Sequence, residues 1–233
     1  MSVNETARRA LRDRCRGISA GVFAADAGHL RDAAQDIASW GGAMLHFDVM
    51  DGTFVPAITG GPGFVKALDV GLVRDVHLMV EAPRRHVNAF ADAGADIITI
   101  HAEADDAAGA LDAVCAASAR LGRPILAGLG LMPGTGLDGA EALLAHDPDL
   151  ILFLAVDPRT RSGADIAGAC AKVAALRARA GARRPILTFD GGVSGATIEE
   201  VARGRPDVVV SGSAIFGAAA PRDAFKHMVT ACS

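Results

Sequence analysis

The sequence predicts an α/β protein built as a single closed (β/α)8 barrel, the TIM barrel, preceded by an N-terminal helical extension. Three observations support this fold: eight short apolar runs recur along the chain, Ala-rich or apolar-periodic stretches lie between them, and no linker or composition shift divides the 233 residues. Near-continuous apolar strands joined by helices are typical of a parallel sheet covered by helices. Eight such units fit a closed barrel better than an open doubly wound sheet, which uses the same alternation.

The predicted strands are the apolar runs themselves. In chain order they occupy residues 18–23, 44–49, 76–80, 97–100, 125–129, 150–156, 186–189 and 208–210. Several of the stretches between them have the spacing of amphipathic helices. These predicted helices occupy residues 30–40, 84–93, 107–121, 166–180 and 197–203.

Residues 1–16 are predicted to form an extension that lies across one end of the barrel or frays as a tail, and residues 17–233 to form the barrel domain. The extension carries five arginines, together with Glu5 and Asp13. It has no apolar region of the kind that a secretory signal needs. We interpret its charge as a solvated face rather than a ligand site.

The composition excludes several classes of partner. A net charge of -4 argues against a basic surface for nucleic acid, and 4% aromatic residues with no tyrosine leave few side chains on which bases could stack. No apolar run approaches the roughly 18 to 20 residues of a membrane span. Four widely separated cysteines suggest neither a zinc knuckle nor a disulfide framework, so a reducing, cytoplasmic location is expected.

Polar side chains of a few types collect at the predicted strand ends, where a barrel of this kind carries its function. His46 and Asp48 are two residues apart, so on a strand both project into the barrel. His77 lies on the next strand, and Asp190 ends the seventh. Two imidazoles and two carboxylates suit one divalent metal ion such as zinc, iron(II), manganese or cobalt.

Two of the seven histidines are thus predicted to point inward. Each of the four residues taken singly would be interpreted as a hydrogen-bonded core or loop residue. Four ionisable side chains converging in an apolar barrel would leave buried charge unpaired unless a cation or substrate compensated it. The spacing His46-x-Asp48 also resembles the facial triad of non-haem iron oxygenases. The alternation of strand and helix argues against that assignment, and so does a fourth ligand in Asp190.

Five stretches of the chain closely resemble the ribulose-phosphate 3-epimerase family, in order and with ordinary spacing over residues 17–226. They are residues 46–56 (HFDVMDGTFVP), 75–79 (DVHLM), 93–101 (AGADIITIH), 189–193 (FDGGV) and 211–216 (SGSAIF). The resemblance implies a cytoplasmic, homo-oligomeric TIM-barrel isomerase. Its expected reaction is metal-dependent inversion of C3 in D-ribulose 5-phosphate, which gives D-xylulose 5-phosphate.

The resemblance also implies roles for individual residues. Asp48 and Asp190 match the family's catalytic acid and base, and inversion beside a carbonyl does require acid/base groups on opposite faces of a planar enediolate. The metal would be held by these two aspartates together with His46 and His77. Met50 and Met79 match the methionines that line the substrate cavity, although isolated methionines are more often core residues.

The substrate phosphate requires backbone N–H donors, and TIM barrels commonly supply them after strands seven and eight. Gly191, Gly192, Gly212 and Ser213 occupy those positions and match the family. A glycine turn is usually no more than a change of chain direction, but two such turns on adjacent strands favour a phosphate site.

The chain departs from the family at several substrate contacts. Ala20 and Gly21 replace a Pro-Ser pair in strand one, and Met132-Pro133 replaces an Asn-Pro pair in strand five. The glycine-rich lid after strand six has become residues 154–163 (LAVDPRTRSG). In that segment, Arg159 and Arg161 are expected either to clamp a phosphate or second anion or to remain solvated.

Three other interpretations follow from these departures and from one further motif. A related phosphorylated ketose, such as allulose 6-phosphate, is an alternative substrate. A non-catalytic barrel that binds a sugar phosphate is an alternative of another class. The glycines at 134, 136 and 139 fit a dinucleotide-binding pattern, but they lie in the fifth unit behind a proline and are interpreted as a loop.

Overall fold

The computed structural model describes residues 3–160, 163–179 and 184–233. Its eight parallel strands form a closed barrel in the order β1 to β8, with β8 pairing back onto β1. Helices alternate with the strands on the outside, and a further helix precedes β1. The predicted TIM barrel and its N-terminal helix are therefore confirmed, whereas the domain boundary at residue 17 stays a prediction.

The strands are β1 Gly17–Gly21, β2 Met44–Met50, β3 Val73–Met79, β4 Ile97–His101, β5 Leu126–Leu131, β6 Leu150–Leu154, β7 Ile186–Asp190 and β8 Val208–Ser211. The α-helices of the described residues are α1 Val3–Arg14, α2 Leu30–Ser39, α3 Pro62–Ala67, α4 Val87–Asp92, α5 Ala107–Leu121, α6 Glu141–Leu144, α7 Ile166–Arg179, α8 Ile198–Arg203, α9 Ser213–Phe216 and α10 Pro221–Ala231. Short 3-10 turns occupy Val22–Ala24, Ala27–His29, Pro83–Arg85 and Asp138–Ala140.

Every predicted strand is present, but some bounds differ. The first strand ends at Gly21 and continues as a 3-10 turn, and the third begins three residues early, at Val73. Four helices, α3, α6, α9 and α10, were not predicted. For α10 the signal exists, since Pro221 stands at its start and Phe225 and Met228 are buried three residues apart. The last residue of the predicted helix 166–180 lies outside the described residues.

Two apolar layers enclose the strands. The larger lies between the barrel and its helices, and the smaller fills the barrel interior with side chains such as Met44, Ile97, Leu150 and Val208. Alternation along each strand sends every second residue inward, so the interior above this apolar floor is formed by the last inward positions of the strands. Those positions carry the candidate site.

Helix α1 closes the amino-terminal end of the barrel. Its Leu11 and Cys15 pack against the interior layer, and burial raises the pKa of the Cys15 thiol to about 12. Arg8 and Arg12 both donate to the buried carboxylate of Asp149. The expectation that the arginines of the extension are simply solvated is therefore wrong for these two, because a buried carboxylate needs cationic partners.

None of the helices in the described ranges is both long and apolar enough to cross a membrane.

Candidate active site

Four predicted site residues meet at the carboxyl-terminal end of the barrel. His46 and Asp48 are successive inward positions of β2, His77 is inward on β3, and Asp190 ends β7. Asp48 and His77 are also register partners on neighbouring strands. One potential ligand atom from each residue lies within 4.8 Å of all the others.

The distances between these atoms fit a metal site. Asp48 Oδ1 lies 3.2 Å from both His46 Nε2 and His77 Nδ1. Asp190 Oδ2 lies 3.6 Å and 3.4 Å from the same two nitrogens. A tetrahedral ion with bonds of about 2.0–2.1 Å separates its ligands by roughly 3.3 Å. The donor set, two imidazole nitrogens and two carboxylate oxygens, therefore has the spacing and chemistry of a divalent metal site.

Burial makes the site strongly electrostatic. Both imidazoles are completely buried, and the Asp190 side chain is only 11% exposed. Burial by itself lowers the pKa of His46 and of His77, but the facing carboxylates outweigh it and raise the pKa of both rings. Burial would raise the pKa of Asp48, yet the two imidazoles hold it well below its ordinary value. The cluster thus favours positive charge between its carboxylates, supplied by protons or by a cation.

Asp75 is a site residue to which sequence reasoning gave no role. Its Oδ2 lies 2.8 Å from His46 Nδ1 and accepts a hydrogen bond from Ser19 Oγ at 3.1 Å. A carboxylate on the far nitrogen fixes the tautomer and the orientation of a metal-binding histidine. The available signal was spacing, since Asp75 is two residues before His77 and therefore faces inward with it.

A third histidine points into the barrel, so the prediction of two inward histidines is wrong. His101 ends β4 and is completely buried, and its Nε2 lies 2.8 Å from His77 Nε2. Its Nδ1 lies 3.0 Å from Glu103 Oε2. Burial lowers the pKa of His101. Burial would raise the pKa of Glu103, but hydrogen bonds from His101 and Thr135 lower it to about 2.

A cavity of about 340 Å³ opens beside the two aspartates. Most of the predicted substrate-binding residues line it: Met50, Gly191, Gly192, Gly212 and Ser213. Met79 is register-paired with Met50, is 2% exposed, and is not among the lining residues. A larger cavity of about 570 Å³ lies near the amino ends of β7 and β8 and contains none of the four clustered residues.

The glycines of the cavity wall occupy positions where a side chain would strain the backbone or crowd a neighbouring residue. Gly191 and Gly192 have φ values of +95° and +71°, which side chains rarely adopt. A Cβ on Gly192 would lie 2.4 Å from the Cβ of Ala164. Gly21, where the resemblance leads us to expect a serine, approaches Gly212 so closely that a Cβ would lie 3.2 Å from its Cα. At this point the wall is formed by the backbone of Gly21 and Gly212, and Ser211 and Ser213 line the cavity beside it.

The altered segment after β6 is described only in part. The Arg159 guanidinium donates to Asp157 at 2.9 and 2.7 Å, so its partner in this structure is a carboxylate of its own loop. Arg161 lies outside the described residues. At the other departure, the carbonyls of Met132 and Pro133 accept hydrogen bonds from Lys172 Nζ.

Comparison with known proteins is consistent with this geometry. The profile of the Ribulose-phosphate 3 epimerase family matches residues 17–216. A ribulose-phosphate 3-epimerase of Mycobacterium leprae is 37% identical over 88% of this chain and 89% of its own length. A Bacillus subtilis protein of the same name is 33% identical over 86% and 92%. A solved 3-hexulose-6-phosphate synthase, 21% identical with a TM-score of 0.69 over 93% of this chain and 100% of its own, shares the fold.

Proposed function

The chain belongs to the ribulose-phosphate 3-epimerase family and is an isomerase, and on that premise we propose that it inverts C3 of D-ribulose 5-phosphate to give D-xylulose 5-phosphate. The observation that carries the proposal is the position of two carboxylates. Asp48 on β2 and Asp190 on β7 line one cavity and contact the same two imidazoles from different strands. Epimerisation beside a carbonyl needs such a pair, because the proton leaves one face and returns to the other.

The proposed reaction is a two-proton exchange. One aspartate takes the C3 proton while the C3–H electron pair moves toward the C2 carbonyl, which gives a planar enediolate. The other aspartate delivers a proton to the opposite face of C3, and the electron pair returns to form the C–H bond. Reversal of the two roles performs the reverse reaction.

One divalent ion, zinc, iron(II), manganese or cobalt, would be held by His46, Asp48, His77 and Asp190. When bound, such an ion stabilises negative charge that develops on the substrate oxygens. Asp75 would orient His46 for this task, because its carboxylate accepts a hydrogen bond from the N–H at His46 Nδ1.

The backbone at Gly191, Gly192, Gly212 and Ser213 is proposed to bind the phosphate, since these residues line the same cavity as the aspartates. Met50 would provide an apolar wall beside the enediolate, and Met79 would support it from the neighbouring strand. Arg159 would contact an anion only if it left Asp157. A homo-oligomeric state and a cytoplasmic location remain predictions from the family.

A second candidate substrate is another phosphorylated ketose such as allulose 6-phosphate. Gly21 lines the cavity without a side chain of its own. The resemblance leads us to expect a serine there and a glycine-rich lid after β6, so the substrate contacts are proposed to differ while the four clustered residues are kept. A barrel that only binds sugar phosphates is disfavoured, because a binder needs no paired aspartates around a metal site.

The test is proton exchange at C3 in deuterated water, followed by NMR with ribulose 5-phosphate and allulose 6-phosphate in parallel. We expect deuterium at C3 of the preferred ketose, dependent on a divalent ion that elemental analysis detects in the purified protein. Exchange that persists after complete chelation would refute the metal-dependent reaction. No exchange with any ketose phosphate would favour the binding protein.

A further inference from the structure

We propose that His101 and Glu103 are positioning residues that hold His77 in the tautomer whose Nδ1 is free to bind the metal ion. This inference rests on the proposed metal-dependent function and extends it to two residues outside the group of four. Its starting point is the 2.8 Å distance between His77 Nε2 and His101 Nε2. Two imidazole nitrogens at this distance share one proton, so one ring donates and the other accepts.

The direction of that hydrogen bond follows from Glu103. An ionised carboxylate is only an acceptor, so His101 Nδ1, 3.0 Å from Glu103 Oε2, must carry a proton. His101 is completely buried, which disfavours its doubly protonated, charged form. Its Nε2 is then an acceptor, and His77 Nε2 must be the donor. A neutral His77 with a proton on Nε2 presents a lone pair at Nδ1, the nitrogen that faces Asp48 and Asp190.

Glu103 is held in place by hydrogen bonds of its own. The direction of the hydrogen bond between His77 and His101 is therefore set by residues outside the four-residue metal cluster. Its Oε1 accepts hydrogen bonds from the backbone N–H of Met132 and from the Thr135 hydroxyl. The His101 and His77 rings meet edge to edge, 26° from coplanar with centroids 4.9 Å apart, and the His101 ring also packs against Phe54. Gly130 gives the ring its room, because a Cβ there would lie 3.2 Å from His101 Nε2. The hydrogen-bonded chain from Glu103 through His101 to His77 is therefore held in a single orientation.

The two proposed metal-binding histidines are thus oriented differently. His46 is held directly by the Asp75 carboxylate. His77 is held by the Glu103 carboxylate through an intervening imidazole. Loss of the partner that orients a metal-binding histidine typically costs 10- to 100-fold in metal affinity. We expect the same range for loss of His101.

The experiment compares Co²⁺ and Zn²⁺ affinity in the full-length protein, by competition with a chromophoric chelator, for wild type, H101L, H101Q and E103Q. In H101L no acceptor faces His77, and we expect a 10- to 100-fold weaker Kd and an altered visible Co²⁺ spectrum. In H101Q the amide oxygen can accept from His77 while the NH2 group donates to Glu103. That variant should stay within about threefold of wild type. In E103Q the amide can either donate or accept, so His101 Nδ1 no longer has to carry the proton. We expect this variant to bind the metal about tenfold more weakly.

A matched control is H146L, which removes a surface histidine whose Nδ1 lies 3.2 Å from Asp112 and should leave both metals' Kd unchanged. Thermal unfolding of the metal-free variants separates folding from binding. If H101L does not fold, the contrast between H101Q and E103Q still decides the question. Equal affinity in wild type, H101L and E103Q would overturn this inference alone. A wild-type protein that binds neither ion would overturn the proposed function with it.

Discussion

Asp48 and His77 are register partners on neighbouring strands, and Asp48 Oδ1 lies 3.2 Å from His77 Nδ1. The same oxygen lies 3.2 Å from His46 Nε2, because His46 and Asp48 are two residues apart on β2. Strand register and alternation thus place one carboxylate oxygen between two imidazoles without help from a loop. Groups held by the strands of a closed barrel keep their geometry better than groups on loops, as a metal centre requires.

The first prediction concerns Asp190. Substitution Asp190→Asn removes the proposed proton donor and acceptor but retains an amide oxygen beside His46 and His77. We expect kcat to fall by about 10²–10⁴-fold, while the purified protein keeps most of its metal by elemental analysis. Asp112→Asn, which changes a 71% exposed carboxylate, is the control and should have no effect. Turnover near the wild-type rate in Asp190→Asn would rule out its acid/base role.

The second prediction concerns pH and metal removal. In the metal-free protein, burial lowers the pKa of His46 and His77, but the facing carboxylates outweigh it and raise the pKa of both. The stability that these protons contribute is therefore full below the unfolded value of about 6.5 and is lost as pH rises through the raised values. A metal ion binds the neutral rings and needs no such protons. The Tm gain on adding Zn²⁺ should consequently grow between pH 6 and pH 9.

Differential scanning calorimetry of the metal-free and metal-loaded protein across this range measures that gain. The His146→Leu variant, altered only at the surface, should show the same pH dependence as wild type. A Tm gain that stays constant with pH would mean that protons and metal do not compete at this cluster.

Sequence reasoning reached the barrel and the four clustered residues because both depend on local periodicity. Period-two spacing showed that His46 and Asp48 share a face, and alternating apolar runs indicated the strands. His101 was left out because a single histidine after a strand is usually a core residue, and its role depends on contacts with β3 and β5. Asp149 was missed as the partner of α1, since Arg8 lies 141 residues away along the chain.

The third prediction concerns the proposed phosphate turn. Gly192 combines a φ of +71° with a neighbour that would lie 2.4 Å from a Cβ, so Gly192→Ala must shift the turn that lines the cavity. We expect KM for the sugar phosphate to rise at least tenfold with a smaller change in kcat. Gly195→Ala, in the same loop between β7 and α8, is the matched control, because nothing lies within 4 Å of its Cβ position. An unchanged KM in Gly192→Ala would place the phosphate elsewhere.

The last prediction concerns the closure of the barrel by α1. Asp149 is 4% exposed, accepts from Arg8 and Arg12, and also accepts the backbone N–H of Ala127 at 3.0 Å. Asp149→Asn keeps the shape but places an NH2 group against these donors and leaves two arginines without their counter-charge. Breaking an ion pair at a buried carboxylate costs about 3 kcal/mol, which lowers the Tm of a chain of this size by roughly 6–12 °C.

The control for this variant is Asp138→Asn, since the Asp138 side chain is 90% exposed and pairs with Arg179 only at the surface. Its Tm should stay within about 1 °C of wild type, as expected for an exposed pair. Because Asp149 lies at the opposite end of the barrel from Asp48 and Asp190, kcat of the folded Asp149→Asn protein should stay within about twofold of wild type. A Tm equal to that of Asp138→Asn would show that α1 contributes nothing to stability through this carboxylate, and its contribution would then rest on the packing of Leu11 and Cys15.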